Sequence, residues 1–350
     1  MPGNESEASN RPAGYNAPAN GSQTAEPTPF QAPAISLPKG GGAIRGIGEK
    51  FAANPVTGTG SLTVPIATSP GRAGFGPQLS LSYDSGAGNG PFGFGWSLAL
   101  PQISRKTDKG LPRYDDDAES DVFLLSGAED LVPVAAPDDT TSFPDYRIRR
   151  YRPRVEGLFA RIERWTKTVG PDAGDVHWRS IAKDNVLTLY GKDANSRIAD
   201  PADARRVFSW LICETRDDRG NAVVYDYKAE DATDLDLRQA HEANRGNETD
   251  PRRRVNRTIK HIRYGNRAPL LDGEGRRPPL LTPAEIANAG WMFQVVFDYG
   301  DHDADAPTPA ETRPWPRRND PFSTYRPGFE VRTYRLCQRV LLFHHFPDEP

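Results

Sequence analysis

The sequence predicts a mainly β protein, in which many short antiparallel strands form a large curved sheet or shell with very little helix. Three observations predict it. Apolar and polar side chains alternate with a period of two over many short runs, as in strands with one buried face. The 33 prolines and 32 glycines of the 350-residue chain interrupt those runs too often for long helices. Between the runs, Gly, Pro, Asn and Asp cluster in connections whose φ values they supply at low steric cost.

Taken in order, residues 1–33 are mostly Pro, Ala, Ser, Asn, Gly and Glu, with two isolated aromatics, Tyr15 and Phe30. Such a stretch cannot bury enough apolar area to offset its ordering entropy, so it is expected to be a disordered leader before a β module over 34–350. In that module Leu62, Val64 and Ile66 share one face, as do Leu79, Leu81 and Tyr83. Candidate strands lie at 61–66, 78–84, 94–100, 121–125, 130–134, 146–151, 158–165, 176–182, 185–190, 207–215, 222–228, 257–264, 291–299 and 329–346. Gly220 and Asn221 suit a hairpin turn, beyond which Val223, Tyr225 and Tyr227 face one side and Val224 and Asp226 the other. One helix is predicted. It begins at Thr282, with Pro283 in its first turn, Glu285 closing a capping box and Gly290 stopping it. Two polar stretches, 231–254 and 300–320, read as exposed insertions. The last run, EVRTYRLCQRVLLFHHF, offers 17 residues of near-continuous strand character.

Composition narrows the function. A net charge of −3 from 44 basic and 47 acidic residues gives no electrostatic case for nucleic acid or anionic membranes. No apolar run approaches the ~20 residues that span a bilayer, and the N-terminus lacks the basic and apolar regions of a Sec signal. Cys213 and Cys337 sit far apart inside strand-like runs and are expected to be free thiols.

Each cluster that could carry chemistry has a plainer reading. Gly88, Gly90 and Gly93 fit G-x-G-x-x-G, yet Pro91 and a strand follow where a phosphate-binding loop would open a helix. Gly40 to Gly42, near Lys39 and Arg45, lack the P-loop spacing. His344 and His345, followed by Asp348 and Glu349, form a tempting metal pair, but neighbouring strand residues point to opposite faces. Asp115, Asp117 and Glu119 alternate as in a calcium loop, although Ser120 stands at the sixth position and Ala128 at the twelfth. A solvated acidic turn is expected there. Basic clusters at Arg147, Arg149, Arg150, Arg152 and Arg154 and at Arg252 to Arg254 read as solvated faces or partner contacts. Phe92, Phe94, Trp96, Trp165, Trp178, Trp210 and Trp291 could line a sugar-binding groove, with packing between sheets as the default. No G-x-S-x-G elbow occurs, and no catalytic, cofactor-binding or metal site is expected.

Three strings carry a family resemblance: ISLPKGGGAIRGIGEKF; GPFGFGWSL with KGLPRYDD; and DPFSTYRPGFEVRTYRLCQRVLLFHHF. They resemble the virulence plasmid B protein family, shared by Salmonella virulence plasmid B proteins and the B components of insecticidal toxin complexes. The segment WLICETRDDRGNAVVYDYKAED, followed by NRTIKHIRYGN, also resembles the repeat of rearrangement-hotspot (RHS) and YD-repeat proteins, which build spiralling β-sheets. The resemblance implies a non-enzymatic shell module that packages and helps deliver a toxic effector. Its implied partners are a C-like component and an A-type pore-forming component, and its implied location is extracellular, without a Sec signal, as well as the producing cell's cytoplasm. Two alternatives stay open: a targeting module preceding an ADP-ribosyltransferase domain, or a carbohydrate-binding β module. The transferase itself would require a Glu-x-Glu element, whose nearest counterpart here is Glu248, Thr249 and Asp250, while Ser323 and Thr324 have no Glu-x-Glu pair downstream. The family continues past FHHF, so the module is expected to be truncated at its C-terminal end.

Overall fold

The computed structural model describes residues 50–54, 58–157 and 159–346. The expected leader, most of the string from Ile35 to Phe51, and Asp348 and Glu349 lie outside the described residues.

Six strands come first: β1 (Lys50–Asn54), β2 (Thr59–Ile66), β3 (Leu79–Asp84), β4 (Asn89–Gly90), β5 (Gly93–Phe94) and β6 (Trp96–Leu98). β1, β2, β3 and β6 form one antiparallel sheet in that order. Seven more run as a meander: β7 (Gln102–Arg105), β8 (Phe123–Leu125), β9 (Glu129–Pro133), β10 (Tyr146–Pro153), β11 (Arg161–Lys167), β12 (Val176–Ile181) and β13 (Leu187–Tyr190). The short β14 (Arg197–Asp200) leads into the 14-residue β15 (Asp203–Arg216). β15 pairs with β7 through Ser209 to Leu211 and with β13 through Ile212 to Arg216, closing an eight-strand barrel. Glu214 of β15 also pairs with Val224, so the same strand starts an open extension through β16 (Ala222–Ala229), β17 (Arg257–Asn266) and β18 (Trp291–Asp298). After β19 (Phe322–Thr324) and β20 (Val331–Thr333), which pair with each other, β21 (Arg339–His344) adds to β18.

The barrel is solid. Phe123, Tyr151, Trp178 and Trp210 come from β8, β10, β12 and β15, alternate strands of the ring, and meet inside with centroids 4.9 to 6.0 Å apart. Inward side chains of a small barrel fill its interior in layers of this kind. Two candidates for a sugar groove, Trp178 and Trp210, are therefore core residues, and Trp165 is buried against Phe143, Tyr146 and His177. Gly191, with φ +61°, lets the chain pass the Trp210 ring where a Cβ would lie 2.3 Å from the indole.

The Gly220 turn forms as the sequence predicts, and Val223, Tyr225 and Tyr227 join one core. The helix forms as α1 (Pro283–Ala287), with reciprocal bonds between Thr282 and Glu285 and with Gly290 at φ +63°. Both cysteines are free. Two expectations are corrected. The run 329–346 is not one strand: β20 lies in a two-stranded sheet with β19 and β21 in the large sheet, and between them consecutive residues Tyr334 and Arg335 are both fully buried, which a strand with one solvated face does not permit. The polar stretches 231–254 and 300–320 are not merely exposed, because they carry the buried Glu242, Arg253, Asp301, His302, Trp315 and Arg318. Charged residues are rarely buried unless paired, and these are paired: Glu242 with Arg253, Arg318 with Asp320, and Asp301 with Lys260 of β17.

Candidate functional site

Three buried ionic clusters hold the connections against the sheets. The first forms around Arg105, at the end of β7 and 1% exposed. Its guanidinium donates to Asp116 at 2.6 Å, to Asp121 at 2.8 Å and to the Val207 carbonyl at 2.7 Å, and it stacks on Tyr114, Phe123 and Trp210. Asp121 also accepts the Arg113 and Tyr114 amides; burial pushes its carboxyl up, but these bonds and Arg105 outweigh burial and hold it below the ordinary range. The expected solvated acidic turn is there for Asp115, Asp117 and Glu119, which are exposed, while Asp116 and Asp121 turn inward to Arg105. Asp117 pairs with Arg147 at 3.0 Å and Glu119 with Arg149 at 2.8 Å, so the run and the basic strand β10 neutralise each other.

The second cluster ties the 231–254 excursion to the segment after β19. Arg335 donates to the carbonyls of Trp315 and Thr233 at 2.8 Å and to Asp231 Oδ1 at 2.8 Å, and its Nε lies 3.3 Å from Glu230 Oε2. Glu230 also accepts the Tyr334 amide at 3.0 Å. Burial pushes its carboxyl up to about 7 against the opposing pull of Arg335. Nearby, Arg253 donates to Glu242 at 2.6 Å, the Tyr334 hydroxyl donates to the same carboxylate at 2.7 Å, and Arg245 grips Glu330.

The third cluster sits behind β17 and β18. Lys260 Nζ lies 2.8 Å from both Asp301 oxygens and 2.9 Å from His302 Nε2, while His302 Nδ1 lies 2.9 Å from the Thr308 carbonyl. A carbonyl only accepts, so Nδ1 carries the proton and Nε2 receives the Lys260 bond. Burial raises the Asp301 carboxyl, but Lys260 prevails and holds it below its ordinary value.

These groups are spent on one another, and none forms a nucleophile with a base. Burial pushes the Cys213 and Cys337 thiols up to about 12, away from the reactive thiolate. Burial lowers His177 to about 3 and His261 to about 4, leaving both neutral at pH 7. His344 and His345 diverge: His344 packs on Phe293 and bonds Ser69, while His345 bonds Gln294 on the other face of β18. Among the described residues no group of three metal-ligating side chains converges, and no helix is long and apolar enough to cross a membrane. Sequence reasoning missed Glu230, Lys260 and Arg335; the one available signal was a single charge inside an otherwise apolar or aromatic run.

With the eight-strand barrel, its open extension and the charged clamps established, comparison with known proteins is decisive. Residues 54–346 match the family model described as Salmonella virulence plasmid 65kDa B protein. The chain belongs to that family. It is 40% identical over 329 residues to the Mono(ADP-ribosyl)transferase SpvB of Salmonella choleraesuis strain SC-B67, a match covering 90% of this chain and 51% of that protein. The chain thus spans about half the length of the curated relatives it matches. Among solved structures, the N-terminal domain of the effector protein SpvB from Salmonella typhimurium strain LT2 is 36% identical, with a TM-score of 0.68 over 81% of this chain and 89% of that one. The TcdB2-TccC3 crystal structure is 34% identical, with a TM-score of 0.72 over 90% of this chain and 15% of that one. The Photorhabdus luminescens Tc holotoxin pore matches at 35% identity and a TM-score of 0.72, over 90% of this chain and 14% of that one. Family membership and fold together make the chain a structural module of the kind found in Tc toxins and at the SpvB N-terminus.

Proposed function

We propose that this module forms part of a β-sheet shell in a toxin-complex B-like virulence protein, where it packages and helps deliver a toxic effector without itself catalysing a reaction. The observation that carries this reading is the match over nine-tenths of the chain to TcdB2-TccC3 and to the Tc holotoxin pore. The ionic clusters support it, since they fix long connections against the sheets and leave a rigid wall. On this reading the partners are a C-like component and an A-type pore-forming component. The β15–β16–β17 ladder continues as stacked hairpins of the RHS type, and the assembled protein acts outside the producing cell.

A second reading has an observation of its own. The curated relatives are named mono(ADP-ribosyl)transferases, and this chain covers about half of each, so the module could equally precede a transferase domain as a non-catalytic targeting unit. Co-expression of the full-length protein with the C-like component of the same genome separates the two. One particle of fixed stoichiometry that shields the C-like component's variable tail from protease supports the shell. Independent elution, with transfer of labelled ADP-ribose from NAD to actin by the full-length protein, supports the targeting unit. Transfer by the 350-residue chain alone would overturn the non-enzymatic assignment.

A further inference from the structure

At the end of the barrel where β12 begins and β13 ends, the β11–β12 turn, the β13–β15 connection and the last turn of the 231–254 excursion enclose a cleft of about 780 Å³. That volume lies within the range of sites that hold small organic ligands. Val176, Ala199, Val207 and Val255 give it an apolar floor.

The charges on its walls do not cancel. Asp172 is paired with Lys167, Asp175 with Arg197 and Asp200 with Arg206. Of the cations, Lys192 is committed to Glu214 and Arg205 to Asp203. Asp193 Oδ1 accepts the Asn195 and Ser196 amides, at 2.9 and 3.0 Å, and its single charge acts on Arg257 without an ion-pair contact. Two guanidinium groups remain with no carboxylate in contact among the described residues. Arg254 is exposed at the lip. Arg257 is held in place by the Arg254, Val255, Asn256 and Ala194 carbonyls, and its Nε is buried without a partner. Arg257 is partly buried and its contacts are carbonyl dipoles, with the Asp193 charge acting on it from beyond contact distance, so an incoming anion relieves an incompletely neutralised cation, and a guanidinium fork suits two oxygens of a phosphate or carboxylate. Burial lowers the Arg257 pKa, as expected where the counter-charge is incomplete.

We propose that this cleft binds a small organic oxyanion, a phosphate or carboxylate on an apolar body, with Arg254 and Arg257 taking the anionic group and the valine floor taking the body. The site is independent of the shell reading and lies outside the three ionic clusters.

The test is calorimetric titration of the 350-residue chain at constant ionic strength with inorganic phosphate, phenyl phosphate and phenylacetate. Phenyl phosphate is expected to bind saturably and at least ~10-fold more tightly than inorganic phosphate, because only it can use the apolar floor. Phenylacetate distinguishes the headgroup: parity with phenyl phosphate assigns a carboxylate-tolerant site, and weaker binding assigns a phosphate site. Arg254→Gln, at an exposed position, should weaken phenyl phosphate at least ~10-fold with an unchanged unfolding midpoint. No saturation, equal affinity for inorganic and phenyl phosphate, or an unaffected Arg254→Gln variant would overturn the proposal.

Discussion

Replacing Arg335 with methionine removes the cation at the centre of the second cluster while keeping much of its apolar stem. Arg335 is fully buried, bonds the Trp315, Asp231 and Thr233 carbonyls, reaches Asp231 Oδ1 at 2.8 Å and stacks 4.5 Å above Trp315. Methionine leaves Glu230, also fully buried, without its counter-charge. Removing one partner of a buried pair costs about 3–5 kcal/mol, so a loss of about 4 kcal/mol is expected. The loss should depend on pH with a definite sign. The folded-state pKa of Glu230, about 7, lies above its ordinary carboxyl value of 4.5, so its contribution is fully present below pH 4.5 and is lost as pH rises through 7. Without Arg335 that pKa rises further. The mutational loss should then be smallest near pH 6 and grow by about 1 kcal/mol or more by pH 8.5. Urea unfolding followed by tryptophan fluorescence at both pH values measures it, and adding Glu230→Gln to the Arg335→Met background should abolish the pH-dependent part. A loss below about 1 kcal/mol, or one that is the same at both pH values in the single variant, would refute the reasoning.

Gly191→Ala should lower stability by at least ~2 kcal/mol in thermal or urea unfolding, because φ +61° and a Cβ 2.3 Å from Trp210 combine strain with overpacking. His177→Phe should flatten the acid side of the stability profile. The His177 pKa is depressed from 6.5 to about 3, so the stability it contributes is present above 6.5 and is lost as pH falls toward 3, and the parent should lose stability more steeply than the variant across that window in melting experiments. Leu342 is 42% exposed on β21, whose described partner is β18 alone, so Leu342→Lys should reduce concentration-dependent association in size-exclusion chromatography with light scattering. An association unchanged by the lysine would mean that this edge is already protected.

Period-two alternation located most strands of the meander and of the open extension, because those strands bury one face and solvate the other. It failed where geometry, not composition, sets burial. β7 and β14 are four residues each, QISR and RIAD, too short and too polar to show a period. The sequence from Tyr334 to Gln338 looked like strand because its residues are individually strand-prone, yet Arg335 is drawn out of the sheet by carbonyls and carboxylates contributed from residues 230–233 and 315. The stretches 231–254 and 300–320 looked solvated because a buried ion pair has the same composition as a surface one. The clusters were illegible for a related reason: Lys260 and Asp301, or Arg253 and Tyr334, meet only through the tertiary fold. The capping box at Thr282 was legible because every participant lies within four residues.

β15 has a consequence for the order in which the chain is made. Its two barrel partners, β7 and β13, both precede it, so a nascent chain emerging from the ribosome presents a seven-strand meander with two raw edges and an aromatic layer lacking Trp210. Unpaired edges and uncovered aromatics in such a species invite wrong pairings. Among the described residues no strand upstream of Asp203 pairs with either edge. Once Ser209 to Arg216 have been synthesised, one strand satisfies both edges together and completes the aromatic layer, while the second edge of Glu214 to Arg216 becomes the template for β16. Translation through this short window is therefore the most hazardous interval in the synthesis of the module, and a pause just before it would lengthen the exposure of both edges.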